Sequence, residues 1–472
     1  MFAKQNRHAS FGDVIERIGI EGFRCHSNTV IDLESPITAF SGLNGTGKST
    51  ILQLAANAYR CAGGRTFKVS DFFSFNPIDT NPFTRTSRVV YRFAAIANQS
   101  RPLTLSRSTR SSRWLGYNRR QQRRIFFAGI GTYMPLAEQT SYVYRSRGLT
   151  ITGSVSASDH RKDWIKKILR ADYSEVEDHT LSTGGRRGNN LISFTRGGHR
   201  YAEPNMGFGE GRTAHIVRSI ESLPPRSLVL LEEPETSLHP SAQYELGRYL
   251  VEVCIEKRLQ ILISTHSEYL QNALPDASRI YLQRIGNDVK PVPGLSASQA
   301  NSLMTEGIRP ALTVVVEDDV AIAVLNEIIR EADPTMLRTV KIAIGGSNDV
   351  LKKTMIGLRG CGLNVAAVVD GDTGDNPAEN LFKLPGTLPP EKEIFGSGAF
   401  SAHIENAYGC DLGDFGTSLQ GVDHHEWFQK LADHVHQDRN ALVVEGARAY
   451  VRALPVAEKL GLKDSLRAAI RV

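Results

Sequence analysis

The sequence predicts an α/β chain of two domains, the first larger than the second. Three observations carry this. A short apolar run, Ile37 to Phe40, feeds a glycine-rich loop and then an apolar pattern of helical spacing from Thr50. Buried-type strands alternate with helices in two separate series. Between the series, over residues 285–311, periodicity fades and Gly, Pro and Ser accumulate. At 472 residues the chain exceeds the size at which one core keeps growing, so domains at 1–305 and 306–472 are expected.

The elements follow in order. Residues 14–40 alternate apolar and polar positions and read as two strands and a buried third. Residues 50–60, TILQLAANAYR, read as a helix, and residues 87–98 as a further strand. From Arg101 to Arg124 stand eight arginines, at 101, 107, 110, 113, 119, 120, 123 and 124, with no acidic residue and with Trp114 and Tyr117 among them. Such a stretch is either a solvated face or mobile insertion, or a surface for nucleic acid that pairs charge with stacking. Residues 180–200 are turn-rich and read as a hairpin. SLVLL (227–231) and LQILIST (259–265) are strands around the helical SAQYELGRYLVEVCIEKR. The second series runs LTVVVE, DVAIAVLNEIIREA, VKIAIGG, SNDVLKKTMIGLRG and LNVAAVVDGD.

Composition bounds the setting. Hydrophobic content of 41% and charged content of 22% are those of an ordinary globular chain. No run reaches the roughly eighteen apolar residues that span a bilayer, and the start lacks a signal-peptide apolar region, so a cytoplasmic chain without membrane partners is expected. Cysteines at 25, 61, 254, 361 and 410 are too scattered for a disulfide framework or a zinc knuckle. A formal charge of +6 is compatible with a polyanionic partner.

Gly42 to Ser49, GLNGTGKS, fits the phosphate-loop pattern between a strand and a helix. Gly42, Gly45 and Gly47 let the backbone curl so that N–H groups face the phosphates, with Asn44, Thr46 and Thr50 in the same contact set. Lys48 is expected on the β- and γ-phosphates of ATP and Ser49 on Mg²⁺. The strand SLVLL delivers Glu232 to the Mg²⁺ shell and Glu233 to the attacking water. His266 ends the next strand, as a γ-phosphate sensor or as a structural imidazole.

These residues resemble the ABC-type ATPase heads of the OLD (overcoming lysogenization defect), RecF and SMC proteins. IERIGIEGFRCHSNTVIDL resembles their first strands, EEPETSLHP their extended Walker B and D-loop, and STHS their H-loop. NMGFGEG resembles their signature motif, which implies that Gly209 and Glu210 contact nucleotide held by the opposite head of a homodimer or higher oligomer. The chain departs from ABC proteins generally in having Glu232 where Asp is more frequent, and no Q-loop glutamine can be assigned.

A second acidic set lies in the C-terminal series. Glu317 follows one buried strand, and Asp370 and Asp372 follow another. Parallel strands bring such carboxylates to one sheet edge, where their repulsion calls for Mg²⁺ or Mn²⁺. With the Gly345-Gly346 turn, the set resembles the Toprim fold. VEDDVA departs from its commoner E-G-x-x-D form and leaves open whether Asp318 or Asp319 joins the metal. Glu391, Glu393, His424 and His425 resemble segments that complete a two-metal site in OLD-like nucleases, and each also suits a helix cap or surface cluster. Together the motifs resemble an ABC-type P-loop ATPase head followed by a smaller Toprim domain of parallel α/β type. The OLD resemblance implies ATP-controlled, metal-dependent DNA cleavage in defence against bacteriophage, with a partner protein or nucleic acid of the defence system. The alternatives are a RecF- or SMC-like repair scaffold that does not cut, and an ATP-dependent sensor controlling a partner toxin.

Overall fold

The computed structural model describes residues 4–73, 78, 82–94, 102–108, 113–132, 148–183, 186–286, 288–305 and 309–470. The chain divides into two compact units, Met1–Ala300 and Asn301–Val472.

The first unit is built on a six-stranded sheet. Its strand order is Asp288–Pro293, Arg279–Ile285, Ile37–Ser41, Gln260–Ser264, Leu228–Glu232 and Ile125–Ala128, parallel except for the first pair. The three strands Ile37–Ser41, Gln260–Ser264 and Leu228–Glu232 are buried along their whole length, as continuous apolar runs in a sheet covered on both faces must be. Alternate residues serve opposite faces. Val229 and Leu231 pack with Tyr249 and Leu250 of the helix Pro240–Lys257, while Leu228 and Leu230 pack with Leu52 and Leu54 of the helix Lys48–Ala56. Ser264 stands opposite both Phe40 and Glu232, so three strands end level.

An antiparallel five-stranded sheet, with Ile15–Phe23 between His26–Asp32 and Phe83–Phe93, completes the second face. A buried side-chain amide ties it to the central sheet. Gln260 Oε1 accepts from the Ile15 N–H at 2.9 Å, and its Nε2 donates to the Ile15 carbonyl at 2.8 Å. A separate antiparallel sheet contains the hairpin strands Glu175–Thr183 and Arg186–Arg196.

Two stretches read from the sequence gain definition here, and the division between the units, at Ala300 and Asn301, falls within the first of them. Residues 285–311 hold the strand Asp288–Pro293, paired with Arg279–Ile285, and the helix Ala297–Met304. Gly286, Pro291, Pro293 and Gly294 sit at this edge strand and its turns, positions that tolerate them. Within the arginine stretch, Arg101 and Arg110 lie outside the described residues. Three others serve the fold. Arg120 donates to the carbonyls of Tyr59 and Phe67, Arg124 to those of Ala62 and Gly63, and buried Arg123 to those of Asp13 and Phe11. These guanidiniums are spent on backbone carbonyls, which a count of charges along the sequence could not show.

The second unit has a parallel sheet in the order Val340–Ile344, Leu312–Val316, Val365–Val369 and Leu381–Lys383. The helix Asp319–Ala332 covers one face through Val324 and Ile328, and Asn348–Gly360 covers the other through Leu351 and Met355. Beyond the last strand the described chain is helical, packed around Phe395, Phe400 and Phe428 with ring centroids 5.1–6.0 Å apart. Among the described residues no helix is long and apolar enough to cross a membrane.

Candidate functional site

The strand Ile37–Ser41 ends at Gly42, and the loop turns through three glycines with positive φ, 144° at Gly42, 76° at Gly45 and 79° at Gly47. Space as well as φ demands glycine at two of them. A Cβ on Gly42 would stand 2.6 Å from the Leu282 carbonyl, and one on Gly47 would stand 2.1 Å from His26 Nε2. The helix Lys48–Ala56 then begins without a side-chain cap, so its first N–H groups are available to phosphate oxygens. Lys48 Nζ donates to the carbonyls of Gly42 and Leu43 at 2.9 and 3.1 Å, and burial holds its pKa below the usual lysine value. Thr46 Oγ1 donates to the Leu43 carbonyl at 2.9 Å.

Carboxylates arrive from the neighbouring strand end. Glu232 is buried and receives the Ser49 hydroxyl, and burial raises its pKa. Its Oε1 has no partner among the described residues. A buried carboxylate with a spare oxygen beside the phosphate-loop serine fits a divalent cation. Glu233 has φ 43°, a left-handed backbone that few non-glycine residues hold, and lines the cleft with its carboxylate 3.6 Å from His266 Nε2. Burial lowers the His266 pKa, with Lys48 acting in the same direction. Glu235 joins the two loops, accepting from the Thr265 hydroxyl at 2.5 Å and the His266 N–H at 3.0 Å.

The cleft encloses about 680 Å³ and also reaches Asn44, Ser49 and Thr50. The sequence reading missed Arg24, Ser27 and Arg284 on its wall, and Arg212, whose Nη2 donates to the Glu232 carbonyl at 2.6 Å. Single arginines carry no motif. Only the strand pairing that sets Arg279–Ile285 beside Ile37–Ser41 places Arg284 near the loop. His26 was also missed: it is fully buried, with Nε2 3.3 Å from the Gly47 carbonyl and Nδ1 3.0 Å from Thr29 Oγ1.

Gly209 and Glu210 open the helix Phe208–Glu221. Gly209 lies against its own chain, where a Cβ would stand 2.5 Å from the Ser237 carbonyl. Glu210 Oε1 accepts from the phenols of Tyr173 and Tyr201 at 2.7 and 2.6 Å.

Residues 17–58, which hold this phosphate loop, match the family model described as "AAA domain". Residues 157–272, which hold Gly209, Glu232, Glu233 and His266, match the one described as "AAA domain, putative AbiEii toxin, Type IV TA system". The first unit carries a P-loop ATPase domain of the AAA/ABC type. No curated protein matches the chain. Similar solved structures include an SMC head bound to the C-winged helix domain of ScpA, at 15% identity and a TM-score of 0.38, covering 60% of this chain and 97% of that one. The SMC head domain from Thermotoga maritima is similar at 14% identity and a TM-score of 0.34, covering 59% of this chain and 98% of that one. The Smc head domain with an extended coiled coil from Pyrococcus furiosus, bound to the C-terminal domain of ScpA, is similar at 13% identity and a TM-score of 0.37, covering 62% and 98%.

Apart from the ATPase domain, the second unit has an acidic centre of its own. Glu317 follows the strand Leu312–Val316 and Asp370 follows the adjacent parallel strand Val365–Val369. Asp370 is buried, its Oδ1 has no partner among the described residues, and burial together with Glu317, Asp318, Glu391 and Asp372 pushes its pKa up to about 7. Glu391 is only 1% exposed, its Oε2 is likewise without a partner among the described residues, and burial with Asp318 pushes its pKa up to about 7. Burial raises the Glu317 pKa too, with Asp318 and Asp372 adding to the effect. Asp372 is the exposed member. Carboxylates that raise one another's pKa, two of them with a buried oxygen that has no partner among the described residues, are a donor set suited to Mg²⁺ or Mn²⁺.

The remaining candidates separate. Asp318 caps the helix Asp319–Ala332 through the Ala321 N–H at 2.8 Å and keeps its other oxygen 3.7 Å from His425. Asp319 is taken by a forked pair with Arg439. Glu393 accepts from the N–H groups of Thr387 and Leu388 at 2.7 and 3.0 Å, and so shapes the turn at Gly386 rather than the acidic centre. His425 Nδ1 stands 3.2 Å from Glu391 Oε1, and the His424 ring lies 4.1 Å from the His425 ring.

Proposed function

We propose that the chain is an ATP-controlled, metal-dependent nuclease, in which the ATPase domain governs DNA cleavage by a C-terminal unit of Toprim type. The single observation behind this reading is the acidic centre: Glu317 and Asp370 follow adjacent parallel strands, and buried Asp370 keeps an oxygen with no partner among the described residues. Glu317, Asp370 and Asp372 would hold Mg²⁺ or Mn²⁺. Such an ion supplies an activated water and stabilises the leaving oxygen of a phosphodiester. The chain's own part is to fix the carboxylates at strand ends and to keep Asp370 out of bulk water. In the ATPase domain Lys48 and the loop N–H groups would bind the phosphates, Ser49 and Glu232 would hold Mg²⁺, and Glu233 would orient the attacking water beside His266.

Nucleotide acts between two copies of the chain in this reading, with the helix start at Gly209 of one copy facing the phosphates held by the other. Glu210, tied to two tyrosines, fixes that helix start. The biological setting we infer is defence against bacteriophage, on the combined resemblance of the motifs to OLD proteins. The test is nicking of supercoiled plasmid by the purified chain in Mg²⁺ or Mn²⁺, with and without ATP. Cleavage by wild type and none by Asp370→Ala supports the reading. Equal cleavage by both, or none by wild type in either metal, overturns it.

A further inference from the structure

We propose that His424, His425 and Glu391 form a second cation site of mixed nitrogen and oxygen ligands, which takes a divalent transition metal such as Zn²⁺, Co²⁺ or Mn²⁺ in preference to Mg²⁺. Ligand atoms of the three residues all lie within 4.8 Å of one another. One pair of them already has the separation of neighbours in a coordination shell. Metal bonds of about 2.1 Å place neighbouring ligand atoms about 3.0–3.4 Å apart, by simple tetrahedral or octahedral geometry. His425 Nδ1 stands 3.2 Å from Glu391 Oε1 and 3.7 Å from Asp318 Oδ2. Glu391 contributes a second, independent sign. Its side chain is 1% exposed, yet Oε2 has no partner among the described residues. A fully desolvated carboxylate oxygen without a donor costs stability unless a cation meets it.

The scaffold holds the ligands in place. Glu391 is on the helix Pro390–Phe395, and the histidines are on the turn His424–Glu426. Phe395 packs on Trp427 and Phe428, with centroids 5.5 and 5.1 Å apart, which locks helix and turn together. Asp423 accepts from the His425 N–H at 3.2 Å and lies 3.3 Å from His424 Nδ1, the carboxylate partner that commonly orients a ligand imidazole. His425 is exposed, so an ion has a path from solvent.

Ligand chemistry gives the selectivity. Mg²⁺ wants oxygen ligands and water in a near-ideal octahedron, whereas imidazole suits the later transition metals. Glu317, Asp370 and Asp372 offer oxygen alone. The two sites therefore differ in which ion each favours. This inference does not rest on the nuclease reading, because its test reads metal binding and not cleavage.

The full chain, free of any histidine tag and stripped by chelator, is titrated with Co²⁺ and followed by visible absorption, with Zn²⁺ and Mg²⁺ added in competition. Wild type should show the intensified absorption of a low-symmetry Co²⁺ site, displaced by Zn²⁺ far more readily than by Mg²⁺. His424→Ala and His425→Ala should each weaken Co²⁺ and Zn²⁺ at least about tenfold, by loss of a ligand. Their Mg²⁺ affinity should change less than about twofold. Asp372→Ala should keep the Co²⁺ spectrum. Circular dichroism of the stripped variants, with His425→Gln as a conservative companion, confirms that the fold survives. Co²⁺ affinity unchanged in both histidine variants, or a spectrum lost in Asp372→Ala and kept in both, overturns the proposal.

Discussion

At the scale of single residues, the ATPase domain separates binding from chemistry. Lys48→Ala removes the one ammonium the loop offers to the phosphates, and tight binding of a fluorescent ATP analogue should be lost. Glu233→Gln keeps that ammonium and should bind ATP while slowing phosphate release by orders of magnitude, since the residue beside His266 no longer polarises water. Arg123 makes the opposite point. Its guanidinium is buried, bonds the carbonyls of Asp13 and Phe11 and stacks over Tyr59. Arg123→Gln should cost about 2–3 kcal/mol of stability, read as a lower urea midpoint, with no change in the salt dependence of DNA binding. Lys48, Glu232 and Glu233 could be picked out in the sequence because spacing and a preceding apolar strand mark them. Arg123, Arg212 and His26 could not, because their partners are backbone carbonyls, which leave no trace in residue type.

At the scale of elements, the helix Asp159–Leu169 is tied to its neighbours by a titratable contact. His160 stands 3.1 Å from Glu221 and 3.2 Å from Glu252. Burial opposes its protonation, but the glutamates prevail and its pKa is raised. A raised folded pKa means that the stabilisation is full below the unfolded value of about 6.5 and is lost as pH rises through the folded value. The gap in thermal midpoint between wild type and His160→Gln should therefore be widest near about pH 6 and close by about pH 8. The helix Phe208–Glu221 carries a different test. Mixing Lys48→Ala chains with Gly207→Asp chains, whose new side chain at the cap of this helix meets none of the described residues of its own chain, should restore about one intact composite site per mixed dimer, seen as recovered ATP hydrolysis once mixed dimers are shown to form. No recovery in such dimers counts against contacts in trans. Strand and helix positions in both α/β series were legible, from Ile37–Ser41 to Val365–Val369, because their apolar runs are long and bounded by turns. The strand Asp288–Pro293 and the short helices after Lys383 were not: the one is rich in proline at an edge, the others bury too few residues each to set up a period.

At the scale of the whole molecule, two α/β sheets each bring carboxylates to their own strand ends, Glu232 in one and Glu317 with Asp370 in the other. Mg²⁺ should raise the thermal midpoint of the wild-type chain, and the double variant Glu317→Ala with Asp370→Ala should lose part of that rise while ATP hydrolysis stays near wild type. A melting series in Mg²⁺ checks it, and an unchanged rise would remove both residues from cation binding. The double architecture was visible in the sequence as two runs of alternation. What joins the sheets of the first unit was not, since Gln260 sits inside an apolar strand and looks there like an interruption. Its amide reproduces the two hydrogen bonds a neighbouring strand would give Ile15. Tolerance to substitution at position 260 is accordingly narrow. Glu keeps the acceptor and loses the donor, Leu keeps the volume and loses both, and Asn keeps the chemistry but falls a methylene short. In a library of random replacements this buried position should behave as a near-invariant one, with drift confined to the apolar residues on either side.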